Sequence, residues 1–152
     1  MTAQLAFQIL NFSALVLWII LIFFYQSKTY RLLISSGFAF ILFGLVYIVL
    51  LIMNLETDPT AFSSLENLKS LYSDPWLILL GWVHYLAFDL LAGVWIKSDS
   101  LNFGIHQKLI IIPLIFTFMT GPFGLLLYLI IKYVYVRNTR VTIGEVQDRK
   151  TR

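Results

Sequence analysis

The sequence predicts an all-α, polytopic integral membrane protein of four transmembrane helices, with a short amphipathic surface helix between the second and the third. Three observations carry that reading. Of 152 residues, 59% are hydrophobic and only 12% are charged, whereas a soluble domain carries about 25% charged and about 45–50% apolar residues. Four runs, 5–25, 32–53, 76–96 and 109–131, are 21 to 23 residues long and nearly free of charge; a helix needs roughly 20 residues to cross a hydrocarbon core of about 30 Å. The basic residues gather at the ends of these runs, as membrane flanks do. The same figures argue against a soluble enzyme, and a net charge of +3 spread over flanks implies no nucleic-acid partner. The chain has no cysteine, so disulfides, thiol nucleophiles and iron–sulfur clusters fall away.

The first run, Leu5 to Tyr25, carries no charge and stops before Gln26-Ser27-Lys28. No basic stretch precedes it and no small-residue cleavage site follows, so it reads as a span and not as a signal peptide. Gln26 to Arg31 reads as a tight hairpin connection. The second run, Leu32 to Met53, ends at Asn54-Leu55-Glu56. The segment 54–75 is acidic, with Glu56, Asp58, Glu66 and Asp74 against Lys69. In it, Asp58-Pro59 has the pattern of an N-cap followed by proline at the first helical position. Phe62, Leu65, Leu68 and Tyr72 then recur at three- and four-residue steps, the spacing of an amphipathic helix on a membrane surface. The third run, Trp76 to Ile96, holds His84 and Asp89. A polar loop, Lys97 to Lys108, contains His106. The fourth run, Leu109 to Ile131, is uncharged but interrupted by Pro113 and by Thr120-Gly121-Pro122. Without water to satisfy backbone groups, all four must be helical. Residues 1–136 thus form the transmembrane domain and 137–152 a basic, solvent-exposed tail. Four crossings put both termini and segment 54–75 on one side, with seven basic residues (Lys69, Lys132 and five in the tail) against Lys28, Arg31, Lys97 and Lys108. The positive-inside rule then favours cytoplasmic termini.

The polar residues inside the spans are the informative exceptions. A charged aspartate at the depth of Asp89 costs at least about 2.5–3.5 kcal/mol, so it should face a partner. It is either part of a site or a hydrogen bond that fixes helix packing, and His84 is either a site residue or a satisfied core histidine. Five residues at about 100° each set the two about 140° apart around the helix. Asp89 shares a stripe with Ile78, Trp82, Tyr85 and Gly93; His84 shares one with Phe88, Leu91 and Trp95. Counting depth from loop 97–108 puts Asp89 level with Phe116 and Thr117, and His84 level with Gly121. There Pro122 removes a backbone donor and bends the helix. The catalytic candidates are therefore His84 and Asp89. The ligand-binding candidates are Trp82, Tyr85, Phe88, His106, Thr117, Gly121 and Pro122. His106 lies about 18 Å in depth from His84, so the two histidines cannot share a metal, and neither a metal nor another cofactor is called for. Asn11, Ser13 and Tyr47 read as interhelical packing.

Gly81-Trp-Val-His-Tyr-Leu-Ala-Phe-Asp-Leu-Leu-Ala-Gly-Val-Trp95 resembles the W-x-H-x-L-x-x-D-L motif of the plant abscisic-acid-deficiency, or neoxanthin-synthase-like, membrane proteins and their bacterial relatives. Gly104-Ile-His106, Pro113 and Gly121-Pro-Phe-Gly-Leu-Leu-Leu-Tyr128 are similar to the downstream segment of that family. The resemblance implies a four-span fold and makes Trp82, His84, Asp89, His106 and Gly121-Pro122 the motif positions. Plant members are chloroplast proteins linked to making neoxanthin from violaxanthin, an epoxide-to-allene isomerisation without net redox change. No transit peptide precedes the first span, which looks like a bacterial inner-membrane member, and Ile105 stands where many relatives have proline. Two readings of function follow. In one, the protein binds a carotenoid or other isoprenoid lipid and isomerises it, His84 and Asp89 acting as acid and base. In the other it is a non-catalytic lipid-binding or assembly subunit whose buried polar groups only fix packing. A proton-coupled carrier is a third and would need more spans. The expected partners are a membrane lipid or isoprenoid ligand, with a second copy or another membrane protein compatible with either reading.

Overall fold

The computed structural model describes residues 2–54 and 59–150, and every regular element among them is helical. In order these are α1 (Ala3–Phe23), the single turn α2 (Lys28–Tyr30), a π-helical turn (Arg31–Ser35), α3 (Phe38–Met53), a 3₁₀ turn (Pro59–Phe62), α4 (Leu65–Leu71), α5 (Pro75–Asn102), α6 (Gln107–Thr120) and α7 (Pro122–Lys150). The chain divides into two compact units, Met1–Leu90 and Leu91–Arg152, with the boundary inside α5. Three stretches, Ala3–Phe23, Lys28–Met53 and Pro75–Asn102, are long and apolar enough to cross a membrane.

In the first unit, Thr2 caps α1 by accepting the Leu5 N–H at 3.3 Å, which satisfies one of the donors a helix start leaves open. Ala6, Ala14, Leu17, Trp18 and Leu21 are buried, and Ile9, Phe12, Ile19 and Phe23 are exposed. That is one packed stripe and one apolar outer face, as lipid requires. The expected hairpin is present. Gln26 takes a left-handed conformation (φ 71), and the Ser27 hydroxyl caps α2 by accepting the Tyr30 N–H at 3.0 Å. The second span is not one uniform helix from Leu32, however. The π-helical turn absorbs an extra residue, and Gly37 (φ 81) interrupts the path before α3, a conformation open to glycine at little cost.

The surface segment also differs in detail. The capping role read for Asp58 lies outside the described residues. The helix proper begins later, at Leu65, where the Ser64 hydroxyl accepts the Asn67 N–H at 3.1 Å. Phe62 and Leu65 are exposed, the apolar side that a membrane surface would cover. The pattern of acid followed by proline recurs at Asp74-Pro75, and there it does start a helix: Asp74 Oδ1 accepts the Trp76 N–H at 2.7 Å. From that cap α5 runs 28 residues. Lys97, Asp99 and Ser100, placed by the sequence in a loop, are therefore helical, and Lys97 is only 6% exposed.

The largest departure is in the second unit. The run 109–131 is not one continuous helix. α6 has 14 residues, about 21 Å, and ends where Gly121 (φ 53) donates its N–H to the Thr117 carbonyl at 2.9 Å. Pro122 occupies the first position of α7, where its missing N–H costs nothing. The chain then turns back along α6. A Cβ on Gly124 would overlap the Thr117 backbone nitrogen and hydroxyl and the Pro113 carbonyl, so the two helices touch backbone to backbone there. Farther from the turn, the Tyr135 hydroxyl donates to the Gly104 carbonyl at 2.8 Å. A proline kink is legible in the sequence. The reversal comes from a left-handed glycine before the proline and a glycine after it that leaves room for the return. α7 continues as a helix through Lys150, so most of the basic segment expected as a tail is helical.

Gly124→Ala should therefore destabilise the protein by about 1–3 kcal/mol, the usual cost of overpacking. A thermal melt in detergent checks this; a melting point equal to the wild type would mean that α6 and α7 are not in contact.

Candidate functional site

The sequence-predicted site residues of the first unit lie on α5, and helix geometry distributes them over two faces. Positions 84 and 89 stand about 140° apart around the axis, and their surroundings differ accordingly.

On the first face the Trp82 indole N–H donates to Asn11 Oδ1 of α1 at 2.7 Å. The Phe7 ring packs on Trp82 with centroids 5.4 Å apart, and the Tyr85 ring follows at 5.2 Å. One turn farther comes Asp89, 9% exposed. Its Oδ2 is buried and has no hydrogen-bond partner among the described residues, although Tyr85 interacts with the carboxyl group from one turn away. An unfilled buried acceptor costs about 1–3 kcal/mol, more when charged. Asn11 was legible as a packing residue, and here it anchors a motif tryptophan.

On the second face His84 is exposed. Its imidazole stacks on Phe88 with centroids 4.5 Å apart, and the Tyr47 ring of α3 lies at 6.0 Å. His84 borders a cavity of about 400 Å³ lined also by Tyr47, Asn54, Leu71, Tyr72 and Gly81. Gly81 shapes it directly: a Cβ there would stand 3.2 Å from the Tyr72 hydroxyl and Cε1, so the bare backbone lets the Tyr72 ring lie close against α5. The result is a mostly apolar hollow with a few polar groups, an imidazole, two hydroxyls and an amide, which is the composition of small-molecule sites. Tyr47, Asn54 and Tyr72 were not site candidates from sequence. Nothing in linear spacing brings α3 and the end of α4 beside His84.

A second hollow of about 560 Å³ lies among Ala6, Leu10, Leu45, Val49, Met53 and Leu79. Its walls are apolar and suit a hydrocarbon chain.

The remaining candidates belong to the second unit and build its hairpin. His106 is exposed and caps α6, its Nδ1 accepting the Lys108 N–H at 3.3 Å. Thr117 is fully buried and donates its hydroxyl to the Pro113 carbonyl at 2.8 Å. Gly121 is buried at the turn and Pro122 is exposed beside it. The same unit holds a polar cluster that sequence reasoning missed. Asp99 Oδ2 accepts from the Tyr128 hydroxyl at 2.5 Å and from Lys132 Nζ at 2.7 Å. The ammonium also lies 4.0 Å from the centre of the Phe103 ring, a cation–π distance. Asp99 and Lys132 were visible as opposite charges near two run ends; the register that pairs them exists only once α7 folds back.

A double-mutant cycle with Trp82→Phe and Asn11→Ala should return a coupling of about 0.6–1.7 kcal/mol, the range of hydrogen bonds between membrane helices. Additive effects of the two changes in detergent melts would show that the contact contributes nothing.

The sequence profile described as ABA DEFICIENT 4-like matches residues 5–128, which is most of the chain. The chain belongs to that family. No curated protein and no solved structure matches it.

Proposed function

We propose that this member of the ABA DEFICIENT 4-like family is a membrane protein that binds an isoprenoid lipid of the carotenoid class and isomerises it without net redox change. The observation that carries the reading is the cavity at His84, where Tyr47, Asn54 and Tyr72 put polar groups into otherwise apolar walls. The neoxanthin-synthase-like relationship supplies the substrate class, an isoprenoid with an epoxide at its end. In such a step the imidazolium gives a proton to the epoxide oxygen, the C–O bond breaks, and an adjacent carbon gives up a proton that returns to the imidazole. The product keeps every atom as a hydroxyl and a new double bond. Imidazole is suited to proton transfer near neutral pH, so His84 is assigned to the oxygen-bearing end. The Tyr47 hydroxyl is the second polar group on that side. The long apolar remainder of the ligand suits the hollow between α1 and α3.

Asp89 takes a different part in this proposal from the one its motif suggests. Because it stands about 140° from His84, one epoxide cannot meet both side chains. We assign it as a positioning group on the α1 face, beside Tyr85 and Trp82. The non-catalytic alternative becomes an outcome of the same experiment.

The test is to express the protein in membranes that contain an epoxide-bearing xanthophyll, then measure the pigment that purifies with it and the pigment composition of the extract. Wild type should retain the xanthophyll and deplete the epoxide. His84→Ala and Gly81→Val should each lower retained pigment by about tenfold or more, a loss of about 1.4 kcal/mol, at unchanged protein yield. Asp89→Asn should retain pigment while slowing its conversion. If wild type and His84→Ala leave identical extracts yet wild type holds pigment, the protein binds without catalysing. Equal pigment in all variants would sink the site.

A further inference from the structure

We infer that the chain crosses the membrane three times and not four, that its N-terminus lies outside and its C-terminus inside, and that the His84 cavity therefore opens in the non-cytoplasmic leaflet. The last clause rests on the ligand-binding reading above; the first two do not.

The argument begins with the α6–α7 hairpin. α6 follows the C-terminal end of α5, runs 14 residues, and reverses at Gly121 (φ 53). At about 1.5 Å per residue it reaches about 21 Å, short of the roughly 30 Å a crossing requires. α7 then comes back to where α6 started. Lys132 Nζ pairs with Asp99 at 2.7 Å, and the Tyr135 hydroxyl reaches the Gly104 carbonyl. Both contacts are made to the C-terminal end of α5 and the residues that follow it. The apolar hairpin thus enters and leaves on one side. A re-entrant segment of this kind is tolerated where its backbone groups are satisfied within the protein, as Gly121 N–H and the Thr117 hydroxyl are.

The consequence for charge is large. With three crossings, Lys28, Arg31, Lys97, Lys108, Lys132 and the five basic residues beyond it share one side; Lys69 alone stands on the other, beside Glu56, Asp58, Glu66 and Asp74. That is ten basic residues against one, where four crossings divide them seven to four. The positive-inside rule assigns the ten to the cytoplasm. It also accounts for a feature that four crossings leave awkward, the basic pair Lys28 and Arg31 directly after α1. The loop carrying α4 is then outside. Because Asn54, Phe62 and Tyr72 of that loop border the His84 cavity, a lipid seated there presents its oxygen-bearing end towards the outer headgroups.

The absence of native cysteine makes the test direct. Single cysteines at Gln4, Ser70, Asn102 and Asn138 are introduced into the full chain and treated on intact cells with a membrane-impermeant maleimide. Gln4→Cys and Ser70→Cys should label on intact cells. Asn102→Cys and Asn138→Cys should label only after permeabilisation. In parallel, green fluorescent protein fused to the C-terminus should fluoresce and alkaline phosphatase fused there should be inactive, a readout that needs no substitution. Labelling of Asn138→Cys on the same side as Ser70→Cys would overturn three crossings, and an active phosphatase fusion would overturn the cytoplasmic C-terminus. Protection of Ser70→Cys with labelling of Asn102→Cys would overturn the orientation. If the labelling holds and wild type retains no xanthophyll, the crossing number stands and only the ligand reading falls.

Discussion

A hydrocarbon core offers no hydrogen-bond partner, so each backbone group and polar side chain within it must be satisfied by the protein itself. The architecture follows from that constraint. It explains why every regular element among the described residues is helical. It also explains how the sharpest break is managed. At Gly121 the backbone N–H turns back to the Thr117 carbonyl, and the Thr117 hydroxyl serves the Pro113 carbonyl. A reversal inside an apolar run is affordable because the protein supplies those partners locally.

The same constraint sorts the polar side chains by consequence. Trp82 and Asn11 satisfy one another across two helices, and Asp99 is served by Tyr128 and Lys132. Those groups stabilise packing. Asp89 Oδ2 has no hydrogen-bond partner among the described residues, and the His84 imidazole fronts a hollow. The first is a departure from the rule that buried polar groups are paired, and the two residues fall within one turn and a half of a single helix. Their separation around that helix places them on two different faces of α5.

Much of this was readable from the chain. Spans one to three, the hairpin at Gln26, the short surface helix and the 140° between His84 and Asp89 all follow from runs of apolar residues and from helical periodicity. The family motif from Gly81 to Trp95 was also legible. The limits of α5 were not. Lys97 and Asp99 look like loop residues, because sequence composition registers their charge and not the partners that make a helical position tolerable. The Asp74-Pro75 cap carried the same local signal as Asp58-Pro59, and only the fold shows a helix starting at it.

What the sequence determined by itself was the solvent of this protein and the number of apolar runs, since both depend on composition and on local period. Whether the fourth run is one straight helix or a hairpin was decided by tertiary structure. A proline after glycine marks a break in either case. The angle of the break depends on whether α7 finds room against α6, which Gly124 provides, and on whether Lys132 and Tyr135 find Asp99 and Gly104 at the far end. Those are long-range contacts, and no window along the chain contains both halves of them. The cavity at His84 has the same origin: one histidine is visible in the sequence, but a site needs Tyr47 and Tyr72 brought to it by two other elements.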